Sequence, residues 1–295
     1  MFGSKSIAKA LCALLILTLP GAALARNCPP VEVRAISYNI RLDLASDGAN
    51  AWPYRRDNLI GQVEIIRPDI IGMQEVLPKQ RREIAAALPG YEFVGVARDD
   101  GKDAGEYSPL GIDKSEFQIV ESGTFWLSPT PDRPSLGWDA SYKRIATWAR
   151  LRHRKSGTSV LALNTHWDHR GLVARRESGA LISSWIARNR KPGDHLLLLG
   201  DFNAPLTEES MAALKSGGLV DSRSAASSAT GGDVTFNGFQ ILPGDAARAV
   251  DHILVDPVWK VRRHATIAQH FDGRVASDHF PVVADLTAPA KRCGR

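Results

Sequence analysis

The chain has 295 residues, with 37 Lys and Arg against 32 Asp and Glu and a formal net charge of +5. Its basic residues form small scattered pairs (Arg55-Arg56, Arg81-Arg82, Arg175-Arg176, Arg262-Arg263), so polynucleotide binding does not follow from charge alone. The length suits one α/β or sandwich domain with a large core, and no internal repeat or long low-complexity linker divides it.

The N-terminus reads as a leader. Lys5 and Lys9 precede the apolar run 10–19, and Pro20 and Ala23-Leu24-Ala25 follow. This is the pattern of a secretory signal peptide with an A-x-A site, cleaved after Ala25. The run is shorter than the ~20 residues that cross a bilayer, and Arg26-Asn27 before Cys28 argues against lipidation. The expected organisation is therefore a signal peptide at 1–25, one domain at 26–295, and a secreted or periplasmic monomer without stable membrane association. Loss of Lys5 and Lys9 lowers the charge to +3. Cys28 and Cys293 then flank the first and last strands. An oxidising compartment favours a bridge between them, and two free thiols on frayed ends is the competing reading.

In chain order, the pattern predicts a strand at 31–40, a helix at 55–67 ending before Pro68, a buried strand at 69–74, and a helix at 78–88 opened by Pro78. Consecutive strands follow at 91–97, 110–112, 117–127, 145–153 and 159–165, then a helix at 173–190 that stops near Pro192-Gly193. A buried strand at 196–200 and a short helix at 208–216 come next. The Ser-, Ala- and Gly-rich stretch 222–233 reads as a mobile surface loop, and strands at 251–255, 259–267 and 281–286 complete the set. Many strands with helices in separate places imply two packed sheets covered by helices on their outer faces.

Polar residues recur just beyond these strands. Asn39 follows the apolar run 31–37, Glu75 the run 70–73, Asn164 and His166 the run 160–163, and Asp201 and Asn203 the run 196–199. Asp251 opens a later strand, and Ser277-Asp278-His279 precedes the last. Carboxylates, amides and histidines gathered at strand ends are what a divalent metal and a phosphate ester require. Glu75 alone would serve equally as a helix cap, and Asp201 to Asn203 alone as a turn. Together they suggest a metal anchor at Glu75 and a carboxylate at Asp201 that orients or deprotonates water, with Asn203 donating to a phosphoryl oxygen. His279 has two candidate orienting partners, Asp251 and Asp278.

The ordered set Asn39, Glu75, Asn164-Thr165-His166, Gly200-Asp201-Phe202-Asn203, Asp251-His252 and Ser277-Asp278-His279 resembles the endonuclease/exonuclease/phosphatase superfamily. The resemblance spans essentially the whole chain after the leader. It implies a four-layer α/β sandwich, two packed mixed β-sheets flanked by helices, with a Mg²⁺ or Mn²⁺ site at one edge. By position it implies metal contacts at Asn39, Glu75 and Asp278, and catalytic roles for His166, Asp201, Asn203, Asp251 and His279. It places substrate contacts at Asn164, Arg144 and Asp168. Arg144 as a surface ion pair is its alternative. Tyr38 to Asp43, Gly123 to Ser128 and Asn164 to Arg170 resemble secreted bacterial members near the deadenylase-like branch, where Asp43 would be a further acid near the metal. The implied activity is Mg-dependent hydrolysis of a phosphodiester or phosphomonoester by an activated water. An extracellular nuclease, which needs the arginine pairs to line a groove beside Glu75, and a non-catalytic binding protein remain open, as do the number of metals and the identity of the base. Trp138 and the Pro129 to Pro134 approach are the hint of an apolar loop beside the site.

Overall fold

A computed structural model describes residues 1–3, 29–242, 244 and 248–290. Most of the predicted leader, with Cys28 and Cys293, lies outside the described residues. The first part of the chain forms β1 (Val31–Asn39), α1 (Trp52–Ile66), β2 (Ile70–Gln74), α2 (Pro78–Ala87), β3 (Tyr91–Val94) and β4 (Leu110–Asp113). The middle forms β5 (Phe117–Trp126), β6 (Ile145–His153), β7 (Ser159–His166), α3 (Leu172–Asn189) and β8 (Asp194–Asp201). The remainder forms α4 (Ala212–Ser216), β9 (Val220–Asp221), α5 (Ser222–Ala225), β10 (Ala229–Thr230) and β11 (Asp251–Val255). It ends with β12 (Lys260–Thr266), β13 (His270–Phe271), β14 (Arg274–Val275) and β15 (Val282–Ala288).

Two large sheets result, ordered β10-β12-β15-β1-β2-β4-β3 and β5-β6-β7-β8-β11-β9, with β13 and β14 as a separate hairpin. Parallel neighbours need a crossover, and helices supply it: α1 joins β1 to β2, and α3 joins β7 to β8. The sheets face one another through Val33, Ile70, Val160, Leu197, Leu199, Ile253 and Leu286. On the outer face of one sheet, Trp52, Leu59 and Val63 of α1 pack on Ile36, Tyr38 and Ile71. On the other, Ile182 of α3 and Leu214 of α4 pack on Leu161, Leu163 and Leu198. Helix, sheet, sheet and helix are the four layers expected. A Cβ on Gly72 would lie 2.8 Å from Asn164 Oδ1 and 2.9 Å from Leu199 Cβ, so this glycine is what lets β2 approach the second sheet closely.

Several expectations need correction. Helix α1 begins three residues earlier than its apolar spacing suggests, with Pro53 in its first turn, and ends through left-handed Arg67 (φ 49°) before Pro68. The stretch 222–233 is no plain loop. It contains α5 and β10, with Ser222 buried against His264 (Oγ to Nδ1 2.9 Å) and β10 paired in parallel with β12. Small residues there permit close packing, which composition alone does not distinguish from mobility. A 3-10 turn at Ala45–Asn50 and the β13–β14 hairpin carry no periodic signal and went unpredicted.

Candidate active site

Strand register assembles the site. His166, Asp201 and Asp251 lie in one row across β7, β8 and β11, because His166 pairs with Asp201 and Asp201 with Asp251. On the facing sheet Asn39 closes β1, opposite Gln74, and Glu75 follows at once. Asp278 and His279 arrive at the same edge because β15 runs antiparallel to β1. Ser277 Oγ donates to the Asn39 carbonyl at 2.7 Å and ties this segment to the end of β1. Buried Arg55 donates to the carbonyls of Ile40, Arg41 and Ala276, holding the turn after β1 in place.

These ends open into a cavity of about 870 Å³ lined by Glu75, Arg144, His166, Asp201, Asn203, Asp278 and His279 among others. His279 Nδ1 lies 2.8 Å from Asp251 Oδ2, and its Nε2 lies 3.9 Å from Asp201 Oδ2. Burial opposes charge on the His279 ring, yet Asp251, then Asp201 and Asp278, outweigh it and raise its pKa. Burial and the neighbouring Asp251 raise that of Asp201. His166 goes the other way: burial first, then Arg144 and Arg98, push it well down, so the ring is neutral at pH 7. Asp251, not Asp278, orients His279.

Asn39 Nδ2 donates to Glu75 Oε1 at 3.0 Å and to Asp201 Oδ2 at 2.9 Å, and its Oδ1 accepts the Arg41 N–H at 3.0 Å. A backbone N–H can only donate, which fixes the amide orientation. Asn39 therefore positions the carboxylates through its NH₂ group, while its Oδ1 accepts one backbone N–H and keeps a second lone pair. Glu75 adopts a left-handed φ of 61°, strain of the kind a functional geometry imposes. Burial, and after His279 the nearby Glu75, act on the Asp278 carboxyl, with a net rise in its pKa. Its cationic neighbour Arg41 stays 3.7 Å away and is already engaged by Asp47 at 3.0 Å. Two hard-oxygen acids, Glu75 and Asp278, facing one cavity fit Mg²⁺ or Mn²⁺. Asp201, Asp251 and His279 also place one ligand atom each within 4.8 Å of one another. There, however, Asp251 has a fully buried side chain and already shares the His279 Nδ1 proton, so that trio reads better as a proton chain than as a metal cage.

Two expected substrate contacts lie elsewhere. Asn164 is wholly buried between the sheets, donating to the carbonyls of Met73 (2.7 Å) and Pro109 (2.9 Å) and accepting from Gln74 Nε2 (2.7 Å). A polar residue at a strand end is not distinguishable by sequence from one just inside it. Asp168 is buried too, and accepts from the backbone of Ser141, Tyr142, Arg170 and Gly171. It meets Arg144 at 3.5 Å and so acts on the cavity through that residue. Asp43 pairs with Lys79 at 3.2 Å, outside the cavity lining. Arg144 does line it, as does Asn203, held at φ 49° with Nδ2 on the Trp167 carbonyl at 3.0 Å. Sequence reasoning missed Arg41, Arg98, Glu106, Tyr142, His169, Arg175 and Glu208, all cavity-lining. Glu106 forms a two-pronged pair with Arg98 (2.7 Å for each contact) and lies 3.9 Å from His166 Nδ1. Burial first, and Glu75 against the pull of Arg98, raise its carboxyl pKa.

Residues 36–279 match the Endonuclease/Exonuclease/phosphatase family. The chain belongs to that family. Its members hydrolyse phosphoester bonds and generally use divalent metals. A family protein from Bacteroides thetaiotaomicron superposes with a TM-score of 0.84 at 36% identity, covering 88% of this chain and 99% of the other. A mannosyl-6-phosphatase of the same organism gives 0.82 at 37% identity, covering 86% and 99%. D. rerio TDP2, solved with single-strand DNA product, gives 0.66 at 18% identity over 86% and 98%, a likeness of fold alone. An uncharacterised protein of Acanthamoeba polyphaga mimivirus is 31% identical over 165 residues, 52% of this chain and 59% of that protein. The chain thus spans about three fifths of the length of the curated relative it matches.

Proposed function

We propose that this protein is a divalent-metal-dependent phosphoesterase that cleaves a small phosphate ester by direct attack of water. The observation that carries the reading is the Asp251–His279–Asp201 chain facing Glu75 and Asp278 across one cavity. Mg²⁺ or Mn²⁺ held by Glu75 and Asp278 would supply Lewis-acid charge to the phosphoryl oxygens. Asp201, its basicity raised by burial, takes the proton of the attacking water. As phosphorus bonds to that water oxygen, its bond to the alcohol oxygen breaks. Cationic His279, Arg144 and the Asn203 amide receive the charge that builds on the phosphoryl group. Neutral His166, with Asp201 on one side (3.6 Å) and Glu106 on the other, donates a hydrogen bond from its ring N–H and keeps its proton, and the departing oxygen takes a proton from solvent water.

A compact substrate is favoured over a polynucleotide. Of the arginine pairs noted in the sequence, Arg175 alone lines the cavity among the described residues. Arg56 pairs with Asp57, Arg176 with Glu177, Arg262 with Glu32 and Arg263 with Asp285. The similarity to a mannosyl-6-phosphatase supports a phosphomonoester on a hydroxylated alcohol. The leader at 1–25 supports export, to be read from the mass of the mature protein.

The deciding experiment measures Mg²⁺- and Mn²⁺-dependent hydrolysis of mannose 6-phosphate, p-nitrophenyl phosphate, bis(p-nitrophenyl) phosphate and plasmid DNA by wild type and His279→Ala. Metal-dependent turnover of the monoesters, lost in the variant, is expected. Preferred cleavage of DNA would replace the small-ester reading with a nuclease, and turnover retained by His279→Ala would overturn the site.

A further inference from the structure

Tyr142, Arg175 and Glu208 line the cavity and take no part in this chemistry. Tyr142, 52% exposed, lines the cavity next to Arg144. A large ring left half in water is commonplace, but this one is pinned. Asp168 Oδ2 accepts the N–H groups of Ser141 (3.0 Å) and Tyr142 (3.3 Å), and Lys143 Nζ donates to the Asp99 carbonyl at 2.7 Å. The Tyr142 ring lies 6.0 Å from that of His169 with 23° between the planes, and 5.0 Å from the Arg98 guanidinium. Asp168 also reaches the neighbouring pair, since its carbonyl accepts from Arg175 Nη1 at 3.2 Å. Arg175 in turn holds both oxygens of Glu208, at 2.8 and 3.0 Å, and Ser210 Oγ donates to Oε1 at 2.8 Å. Glu208 Oε2 keeps acceptor capacity toward the cavity.

Around these residues the charges cancel in pairs. Arg41 has Asp47, Arg98 has Glu106, Arg144 has Asp168 and Arg175 has Glu208. Beyond the reacting phosphate, the cavity therefore offers hydrogen-bond donors and acceptors and the half of the Tyr142 ring that His169, Arg98 and Arg144 leave exposed, with Arg248 the one lining arginine outside these four pairs among the described residues. An uncharged hydroxylated ring uses all three: its C–H face packs on an aromatic ring while its hydroxyls bridge carboxylate and guanidinium.

We propose that Tyr142 and the Arg175–Glu208 pair form the specificity subsite for the alcohol part of the substrate, a hydroxylated ring resting on Tyr142 and donating a hydroxyl to Glu208. The inference rests on the phosphoesterase reading above and adds the residues that select the alcohol. Tyr142, and not Trp138 of the same loop, lines the cavity.

The test compares mannose 6-phosphate with glycerol 3-phosphate, which has no ring. Tyr142→Ala is expected to raise KM for the sugar ester about tenfold, with kcat and both constants for glycerol 3-phosphate within about twofold. Tyr142→Phe should restore the sugar KM, and Glu208→Gln should raise it selectively. Equal losses on both substrates, or none, would overturn the subsite. Calorimetric binding of the two esters in EDTA reads the same preference without turnover. Wild type that binds the sugar ester more tightly and loses that preference in Tyr142→Ala supports the subsite even where hydrolysis, and with it the reading of the reaction, fails. Indifferent binding overturns the subsite even where hydrolysis proceeds.

Discussion

Asn39 at the end of β1 donates its side-chain amide to Asp201 at the end of β8, 2.9 Å away, and so bridges the two sheets at the reaction centre. The same NH₂ group reaches Glu75 at 3.0 Å, so one side chain sets the spacing of two acids. Asn39→Asp would replace that shared donor with a third negative charge. The expected outcome is a loss of roughly 10- to 100-fold in Mn²⁺ affinity or in kcat/KM, read by calorimetry and steady-state kinetics, with Asn39→Ala milder than Asn39→Asp. Unchanged affinity and rate in both would remove Asn39 from the positioning role.

Asp251 contributes through His279, since it has a fully buried side chain and its Oδ2 sits 2.8 Å from the ring. Asp251→Asn keeps shape while removing the charge that favours the imidazolium. A fall in kcat of roughly 10²- to 10⁴-fold is expected for His279→Ala. Asp251→Asn should fall on the same path, and the double variant should be little worse than His279→Ala. Simple multiplication of the two losses in stopped-assay rates would show that the residues act independently.

Much of this site was legible in the sequence because strand ends are. An apolar run followed by one polar residue marks where a sheet stops, and parallel or antiparallel pairing then aligns those stops at one edge, as for Asn39, Glu75, His166, Asp201 and Asp251. The cavity wall was not legible. Arg98, Glu106, Tyr142 and Glu208 come from irregular segments whose residue types suit any surface, and their meeting depends on loop paths that no periodicity encodes. Asn164 shows the limit within a strand. It sits two residues before His166 and shares its face, yet Gly72 brings β2 so close that the amide is enclosed while the imidazole remains at the cavity.

Asn164 therefore belongs to stability. Asn164→Leu takes one bond each from the Met73 and Pro109 carbonyls and the Gln74 amide, of which the Pro109 carbonyl keeps the Met73 N–H and the Gln74 amide keeps weaker contacts to Ser37 and Gly72. A buried polar group left without a partner costs about 1–3 kcal/mol, so a substantial drop in urea midpoint is expected. Activity per folded molecule should stay within about threefold, because the side chain is outside the cavity lining. Normal stability with lost activity would return Asn164 to the substrate contacts.

His264 gives the fold a defined acid sensitivity. Burial holds its pKa down to about 4 against an ordinary 6.5, with Asp221 opposing, and the neutral ring is bonded to Ser222 Oγ at 2.9 Å. The unfolded chain takes up a proton here near pH 6.5, whereas the folded chain does not until about 4. Unfolding therefore binds a proton across that window, and stability that is complete above pH 6.5 declines toward pH 4. The slope from this one group is at most about 1.4 kcal/mol per pH unit. His264→Gln keeps a polar group beside Ser222 but cannot titrate. Its urea midpoint should start below that of wild type at pH 7.5, fall less steeply on acidification, and approach the wild-type value by pH 4.5. Parallel curves for the two proteins would assign the acid sensitivity to other buried groups.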